Sequence, residues 1–274
     1  MENRRLAVPG AELYVEVHGT GPLLLLIPGG ASDAEVFQPL AAALAADYRV
    51  VSYDPRGISR SGLHGPPPEP WLAVHTDDAY RLLDHVAEAG ESAAVFGSCS
   101  GGLIALELAI RHPDRVRPAV VHEPPALGLL PDAEQQLAFV DEVHEVFRRD
   151  GVPAALRMLS ALFGGRPAPV LPEAHDNSAF FLAHVLRPSA RCVPGLSGLV
   201  GAADQVVVAG GHDSRRDLIH RPAVVLAKRL GRAPVLFPGG HAGYAKYPVA
   251  FGRQLAKVLR TLPVTGQEAA SCAW

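Results

Sequence analysis

Continuous apolar segments of strand length alternate with helix-length amphipathic segments along most of this chain. The first such segment, Leu23–Ile27, is a run of five apolar residues that ends at Pro28-Gly29-Gly30. An apolar run of this length, bounded by glycine and proline, is typical of a strand buried on both faces. Similar runs occupy residues 48–53, 92–96, 117–121, 205–209 and 234–237. The alternation predicts an α/β fold with a doubly wound, mainly parallel sheet.

The chain departs from this alternation at two places. Alternating residues at 4–8 and 12–17, separated by a Pro-Gly turn, predict an N-terminal β-hairpin. Residues 126–203 have helical spacing and lack a strand pattern. We therefore expect a core formed by residues 1–125 and 204–274, with a helical cap over 126–203 inserted after the sixth strand.

Composition excludes several classes of protein. Hydrophobic residues make up 48% of the 274 residues and charged residues 19%, so the chain can build a large core and is not disordered. The net charge of −3, with no basic run longer than two residues, argues against nucleic acid as a partner. No segment approaches the roughly 20 apolar residues of a membrane span. Three cysteines without a C-x-x-C pair are too few for a disulfide framework, so we expect a cytoplasmic protein.

The strongest chemical signal follows the predicted strand at 92–96. There Gly97-Ser98-Cys99-Ser100-Gly101 joins the strand to a helix, with a glycine two residues before and two residues after Cys99. This spacing is that of a nucleophile elbow, a tight turn that exposes its central side chain above the sheet. The turn also places Cys99 at the start of a helix, where the partial positive charge favours a thiolate.

Two other interpretations of this segment stay open. A buried cysteine in an ordinary glycine-rich turn is usually an inert core residue. A register shifted by one residue would make Ser100 the nucleophile. That register places Gly102, rather than Gly101, at the crowded second position after the nucleophile.

From these motifs the chain resembles the α/β-hydrolase superfamily over most of its length. The pieces occur in the family's order: Pro28-Gly29-Gly30 after one buried strand, Asp54-Pro55-Arg56-Gly57 after the next, the elbow, the helical cap and a late histidine. Residues 95–102, 111–116 and 122–125 are similar to a bacterial subgroup of this family. The resemblance implies an enzyme with a nucleophile, an acid and a histidine, in that chain order.

The resemblance has one departure, because that subgroup usually carries serine where this chain has Cys99. Two interpretations follow. Either the thiol is the natural nucleophile, as in the dienelactone hydrolases of this fold, or cysteine here replaces a catalytic serine.

The resemblance also implies the other members of a catalytic triad. His241, in a glycine-rich loop after the last predicted strand, is the expected general base. Asp213 occupies the family's usual acid position and is the favoured acid. Glu123, which follows the predicted strand at 117–121, is the alternative acid.

The oxyanion hole would use the backbone N–H groups of Gly30 and Ser100, as in the family. Pro28 replaces the usual histidine of this loop, but a backbone donor does not depend on that side chain. Cap side chains and one residue beyond a proline-rich loop are candidates for the substrate pocket: Phe180, Phe181, Met158 and Trp71.

The expected substrate is a small molecule, an apolar acyl compound or a lactone. Neither zinc-type ligand spacing nor a nucleotide-binding glycine motif occurs, so we expect no metal and no cofactor. The sequence thus predicts hydrolysis of an ester, lactone or thioester through an acyl-enzyme on Cys99. Acyl transfer or cyclisation with an acceptor other than water is an alternative. A non-hydrolytic lyase, a cofactor-free oxygenase and a non-catalytic binding module also stay open.

Overall fold

Eight strands form one sheet in the computed structural model of the protein, which describes residues 2–67, 69–165 and 175–261. The strands are β1 (Glu2–Val8), β2 (Ala11–His18), β3 (Leu23–Ile27), β4 (Arg49–Tyr53), β5 (Ala93–Ser98), β6 (Val116–His122), β7 (Val206–Gly211) and β8 (Val235–Phe237). Their order across the sheet is β1-β2-β4-β3-β5-β6-β7-β8. Only β1 with β2 and β2 with β4 pair in antiparallel fashion; the other neighbours are parallel. The predicted α/β fold class is confirmed.

Helices occupy most of the chain between the strands. They are α1 (Gln38–Leu44), α2 (Trp71–Val86), α3 (Ser100–Arg111), α4 (Ala133–Asp150), α5 (Val152–Leu159), α6 (His175–Phe180), α7 (Leu186–Arg191), α8 (Leu196–Gly201), α9 (Arg221–Arg229), α10 (Gly243–Lys246) and α11 (Pro248–Thr261). Within the described ranges, no helix combines the length and the apolar character needed to cross a bilayer.

The continuous apolar run of β3 follows from its place in the middle of the sheet. Leu23, Leu25 and Ile27 pack into the apolar cluster on one face, where α2 and α3 lie. Leu24 and Leu26 pack into a second cluster on the other face, with α1 and α11. Every residue of β3 is buried, because a parallel strand with helices on both faces has no solvent side.

Between β6 and β7 all described elements are helical. We call α4–α8 and the short turns between them the inserted helices. Helix α4 packs against α5 and α7, while α7 contacts α2 and α8 contacts α3, so this unit lies on the core. The exact division into a core and a cap at residues 126–203 stays a prediction.

Helix starts differ most from the sequence prediction. The apolar periodicity of residues 76–88 predicts a helix that begins at Thr76, but α2 begins at Trp71, because Pro70 ends the preceding loop and the first turn already buries Trp71 and His75. The apolar residues 103–111 predict a helix that begins at Leu103, but α3 begins at Ser100, since the turn at Cys99 leads directly into helical backbone.

Candidate active site

The turn between β5 and α3 holds Cys99 in a strained conformation. Its φ of 55° and ψ of −129° are rare for a residue with a side chain. A Cβ atom on Gly97 would lie 2.1 Å from the Gly101 carbonyl oxygen, and one on Gly101 would lie 2.3 Å from the Ile27 carbonyl oxygen. Only glycine fits at these two positions. The structure thus forms the turn that the glycine spacing predicts, with the half-buried Cys99 at its apex.

His241 lies beside this turn, in the loop between β8 and α10. Its side chain hydrogen-bonds with Cys99 on one side. On the other side its Nδ1 lies 2.8 Å from Oε2 of Glu123. The imidazole is only 10% exposed. The structure therefore links Cys99, His241 and Glu123 in one hydrogen-bonded chain.

Glu123 is the buried end of that chain. It follows β6 directly, has a positive φ of 43°, and its side chain is 0% exposed. Its Oε1 accepts from the Gly211 N–H at 2.9 Å and from the Ser214 hydroxyl at 2.5 Å. His220 Nδ1 lies 2.8 Å from the same oxygen. Both carboxylate oxygens are thus fixed by partners, and one orientation is enforced.

These contacts set the protonation states of the pair. Burial alone would raise the pKa of Glu123, but the hydrogen bonds from His220 and His241 outweigh it and hold this pKa well below its usual value. Burial likewise disfavours the imidazolium of His241, yet its bonds to Cys99 and Glu123 raise the pKa of His241 to about 10. The site therefore favours a charged carboxylate and a protonated imidazole.

Asp213, the favoured acid in the sequence analysis, does not reach His241. Its side chain is 54% exposed and contacts the neighbouring His212 at 3.2 Å. Its backbone N–H donates to the Gly239 carbonyl at 2.9 Å, which fixes the loop after β7 with this side chain outward. The expected partner of His241 is therefore corrected from Asp213 to the alternative, Glu123.

The two expected oxyanion donors lie next to each other, but they are not equivalent. Gly29 is pressed against the elbow, since a Cβ there would lie 2.8 Å from the backbone nitrogens of Ser100 and Gly101. The next N–H, that of Gly30, donates to the Ser100 hydroxyl at 2.9 Å. Ser100 itself is 3% exposed. One predicted donor therefore already has an acceptor within the protein.

The four predicted pocket residues all belong to one apolar cluster, but their neighbours differ. Phe180 lies over the loop after β4, where a Cβ on Gly57 would come within 2.2 Å of its ring. Trp71 packs against His75, with ring centroids 5.0 Å apart and the ring planes tilted by 37°. Phe181 and Met158 pack into the apolar cluster around α2 and α3. None of these observations tests a role in substrate binding, so that role stays a prediction.

Another aromatic residue of the inserted helices lies at the candidate site. The ring centroid of Phe163 is 5.1 Å from that of His241. The inserted helices are also tied to the core by Asn177, which exchanges hydrogen bonds of 2.7 and 2.8 Å with Ser59. The Ser59 hydroxyl donates in turn to Asp33 at 2.6 Å. This buried connection anchors the inserted helices near the loop that carries Gly30.

Sequence reasoning missed the residues that hold Glu123. Ser214 and His220 lie close to Asp213 in sequence, but no spacing rule marks them as its partners. His122 was also missed, although it directly precedes Glu123 on a strand end. It is 0% exposed, and its Nδ1 lies 3.1 Å from the Ser98 hydroxyl. Burial lowers the pKa of His122 to about 4, which keeps the ring neutral.

Among the described residues, three side chains at this site are of types that bind metal ions. Ligand atoms of His122, Glu123 and His241 lie within 4.8 Å of one another. His241 Nδ1 and Glu123 Oε2 are hydrogen-bonded to each other. Hydrogen bonding therefore accounts for this cluster without an ion.

Comparison with known proteins agrees with this architecture. The model of the α/β hydrolase fold family matches residues 22–165. The uncharacterized hydrolase YraK of Bacillus subtilis (strain 168) is 34% identical over 265 residues, covering 94% of this chain and 96% of that protein.

Two solved structures share the fold along almost the whole chain. A thermophilic esterase from Thermogutta terrifontis aligns with a TM-score of 0.72 and 21% identity, covering 96% of this chain and 99% of that one. The N-acyl homoserine lactonase AidH, in complex with N-butanoyl homoserine, aligns with a TM-score of 0.69 and 20% identity, covering 99% and 100%. At these identities the likeness concerns the fold.

Proposed function

Since the chain belongs to the α/β-hydrolase family and is a hydrolase, we propose that it cleaves a carboxylic ester or lactone through an acyl intermediate on Cys99. One observation carries this proposal. Cys99, at the apex of a strained turn, is hydrogen-bonded to His241, which is hydrogen-bonded to the buried Glu123. This arrangement has the three parts that nucleophilic acyl transfer requires: nucleophile, proton carrier and orienting carboxylate.

In the proposed cycle His241 takes the proton of the Cys99 thiol. The contacts of this histidine raise its pKa to about 10, which favours the imidazolium that results. Glu123 stabilises that imidazolium and fixes the ring through Nδ1, which leaves the other ring nitrogen for Cys99. The sulfur that has lost its proton is the nucleophile.

Acylation begins when the Cys99 sulfur attacks the ester carbonyl carbon. A C–S bond forms, and the carbonyl π electrons move to the oxygen, which the site must stabilise as an oxyanion. When the tetrahedral intermediate collapses, the C–O bond to the alcohol breaks and the His241 imidazolium gives its proton to the departing oxygen. The products are the alcohol and a thioester on Cys99.

Deacylation uses the imidazole that this step leaves neutral. His241 removes a proton from water, and the resulting hydroxide attacks the thioester carbonyl carbon. Collapse of the second intermediate breaks the C–S bond and releases the carboxylic acid. The thiolate and the imidazolium are restored, so the cycle closes.

We further propose that the inserted helices form a cap over this site. Phe163 lies beside His241, so an apolar side chain of the inserted helices faces this reacting group, and the Phe180 ring covers the neighbouring loop at Gly57. Such a wall favours an apolar acyl group or a lactone ring. An esterase and a lactonase among the structural neighbours support that class of substrate.

A chromogenic ester assay with mass spectrometry tests the proposal. We expect p-nitrophenyl butyrate to be hydrolysed, and rapid acid quenching to yield a peptide with a butyryl group on Cys99. Cys99→Ala should abolish both signals. Ser52→Ala, which shortens a buried side chain in β4, is the matched control and should retain activity.

Cys99→Ser separates the two interpretations of the cysteine. If the thiol is the natural nucleophile, the serine variant should be slower, because a serine hydroxyl gives up its proton to His241 far less readily than a thiol does. A serine variant with much faster turnover would mean that cysteine stands in place of a catalytic serine. A Cys99→Ala variant with full activity would contradict the covalent mechanism. Acyl transfer to added amines in preference to water would shift the assignment to an acyltransferase.

A further inference from the structure

The Ser100 hydroxyl occupies an unexpected place beside the nucleophile. In a backbone oxyanion hole the N–H of Gly30 would point at the substrate oxygen. Here that N–H donates to Ser100 Oγ at 2.9 Å. The hydroxyl of the residue directly after Cys99 is therefore the acceptor of the loop donor.

The loop that carries this N–H is held in place. Gly30 has a φ of 65°, in the left-handed region that glycine tolerates. The Ser32 N–H donates back to the Gly29 carbonyl at 3.2 Å, and the Ala34 N–H donates to Asp54 at 2.9 Å. Turning the Gly30 N–H away from Ser100 would require this loop to rearrange.

The Ser100 hydroxyl can still donate its proton in a hydrogen bond. A serine hydroxyl offers one proton and two lone pairs, and the bond from Gly30 uses one lone pair. Within residues 2–67, 69–165 and 175–261 the structure records no acceptor for the Ser100 hydroxyl proton. The backbone N–H of Ser100 is also free of an intrahelical acceptor, because it belongs to the first turn of α3. One residue therefore presents two donors next to Cys99.

We propose that the Ser100 hydroxyl is itself an oxyanion donor, polarised by the N–H of Gly30 behind it. The inference rests on the proposed acyl-transfer function. Hydrogen bonds in series strengthen one another, so the chain from Gly30 N–H through Ser100 O–H to the oxyanion delivers the loop's dipole to the developing charge. Ser100 thereby supplies both a backbone and a side-chain donor, and Gly30 acts through it.

Removing the hydroxyl tests this directly. Ser100→Ala should lower kcat/KM for p-nitrophenyl butyrate by about 10²–10³, the loss typical of one oxyanion donor. Ser100→Thr keeps a hydroxyl and should recover most of that loss. Ser52→Ala again serves as a control for deletion of a buried hydroxyl, and thermal melting checks that each variant is folded.

Two further probes separate this role from simple packing. Butyraldehyde adds to the Cys99 thiolate to give a hemithioacetal, whose oxygen imitates the oxyanion. Its affinity should fall in Ser100→Ala, measured as protection of Cys99 from iodoacetamide. The rate of iodoacetamide labelling without aldehyde should stay unchanged, because displacement of iodide forms no oxyanion.

The outcomes are distinct. Equal or higher ester turnover in Ser100→Ala, with unchanged aldehyde affinity, would overturn the proposal. The hydroxyl would then only accept the hydrogen bond from Gly30 and would not stabilise the oxyanion. A parent enzyme that hydrolyses no ester would contradict the proposed function instead. In that case the aldehyde affinities of parent and Ser100→Ala still decide the role of the hydroxyl.

Discussion

The loops after β6 and β7 both present a carboxylate next to a histidine, yet of these two carboxylates only Glu123, after β6, contacts His241. Glu123 is fully buried and touches His220 and His241. Asp213 is half-exposed, and its side-chain partner within the described residues is His212. The two loops are neighbours, since β6 and β7 pair in the sheet.

The difference shows which conditions allow a carboxylate to orient a histidine. A buried charge must be compensated by hydrogen bonds, and Glu123 has four partners for its two oxygens. These partners also fix its direction. An exposed carboxylate such as Asp213 is compensated by water, so nothing forces it toward the site.

The largest effect on kcat is expected when Glu123 and Asp213 are each replaced by the corresponding amide. Glu123→Gln should lower kcat on the order of 10⁴-fold, by analogy with the loss of the aspartate in a serine-protease triad. Asp213→Asn should change kcat only a few-fold, because its side chain does not contact His241. Steady-state kinetics on one ester measures both variants. The reverse ranking would restore Asp213 as the acid.

Cys99 and Cys192 are expected to differ in the reactivity of their thiols. Burial raises the pKa of Cys192 to about 11, with a contribution from nearby Glu107, so its thiolate is scarce at neutral pH. Iodoacetamide should therefore label Cys99 on the order of 100-fold faster than Cys192. Glu123→Gln should slow the labelling of Cys99, and Asp213→Asn should not.

Peptide mapping over a time course gives the rates. Cys272, which lies outside the described residues, provides an internal reference that the two substitutions should leave unchanged. Equal labelling of all three cysteines would remove the case for a reactive thiol at the elbow.

A smaller effect on kcat is expected when the histidine that contacts each carboxylate is replaced. His220→Leu removes one hydrogen bond from Glu123, and we expect kcat to fall roughly 10-fold, as when residues that orient active-site ligands are lost. His220→Gln keeps a donor and should recover much of the loss. His212→Leu, beside the exposed Asp213, should be neutral. If His212→Leu were the more damaging change, the comparison of the loops would fail.

The smallest effect concerns acid stability. The pKa of Glu123 is lowered on folding, so its stabilisation is complete above the ordinary value of 4.5 and is lost as the pH falls through the lower folded value. Glu123→Gln should cost about 1–3 kcal/mol of unfolding free energy near neutral pH. That deficit should shrink as the pH falls below 4.5. Urea unfolding of both proteins across this range measures it, and a constant deficit would contradict the assignment.

The fold and the elbow could be predicted because they depend on local chemistry. The run at Leu23–Ile27 has the length and apolar character of a buried strand, and the structure places β3 at those residues. Gly97 is required by its close contact with the Gly101 carbonyl in the same turn, whereas Gly101 is required by its close contact with the end of β3 at Ile27. The glycine spacing therefore indicates the turn, although one of its two steric causes lies in another strand.

The partners within the site depended on contacts between distant segments. Asp213 and Glu123 both follow strands, and sequence position alone favoured the wrong one as the partner of His241. The decision rests on how the loop after β7 closes: the Asp213 N–H bonds to Gly239 and turns its side chain outward, while the Gly211 N–H and Ser214 hydroxyl reach Glu123.

The same holds for the hydrogen bond from Gly30 to Ser100, which joins two loops that are adjacent only in the folded chain. The sequence by itself therefore determined the strands, the helix pattern and the turn that presents Cys99, because local sterics and apolar spacing specify them. Only the tertiary structure decided which carboxylate contacts His241 and where the N–H of Gly30 points, because hydrogen-bond direction depends on the packing of segments far apart in sequence.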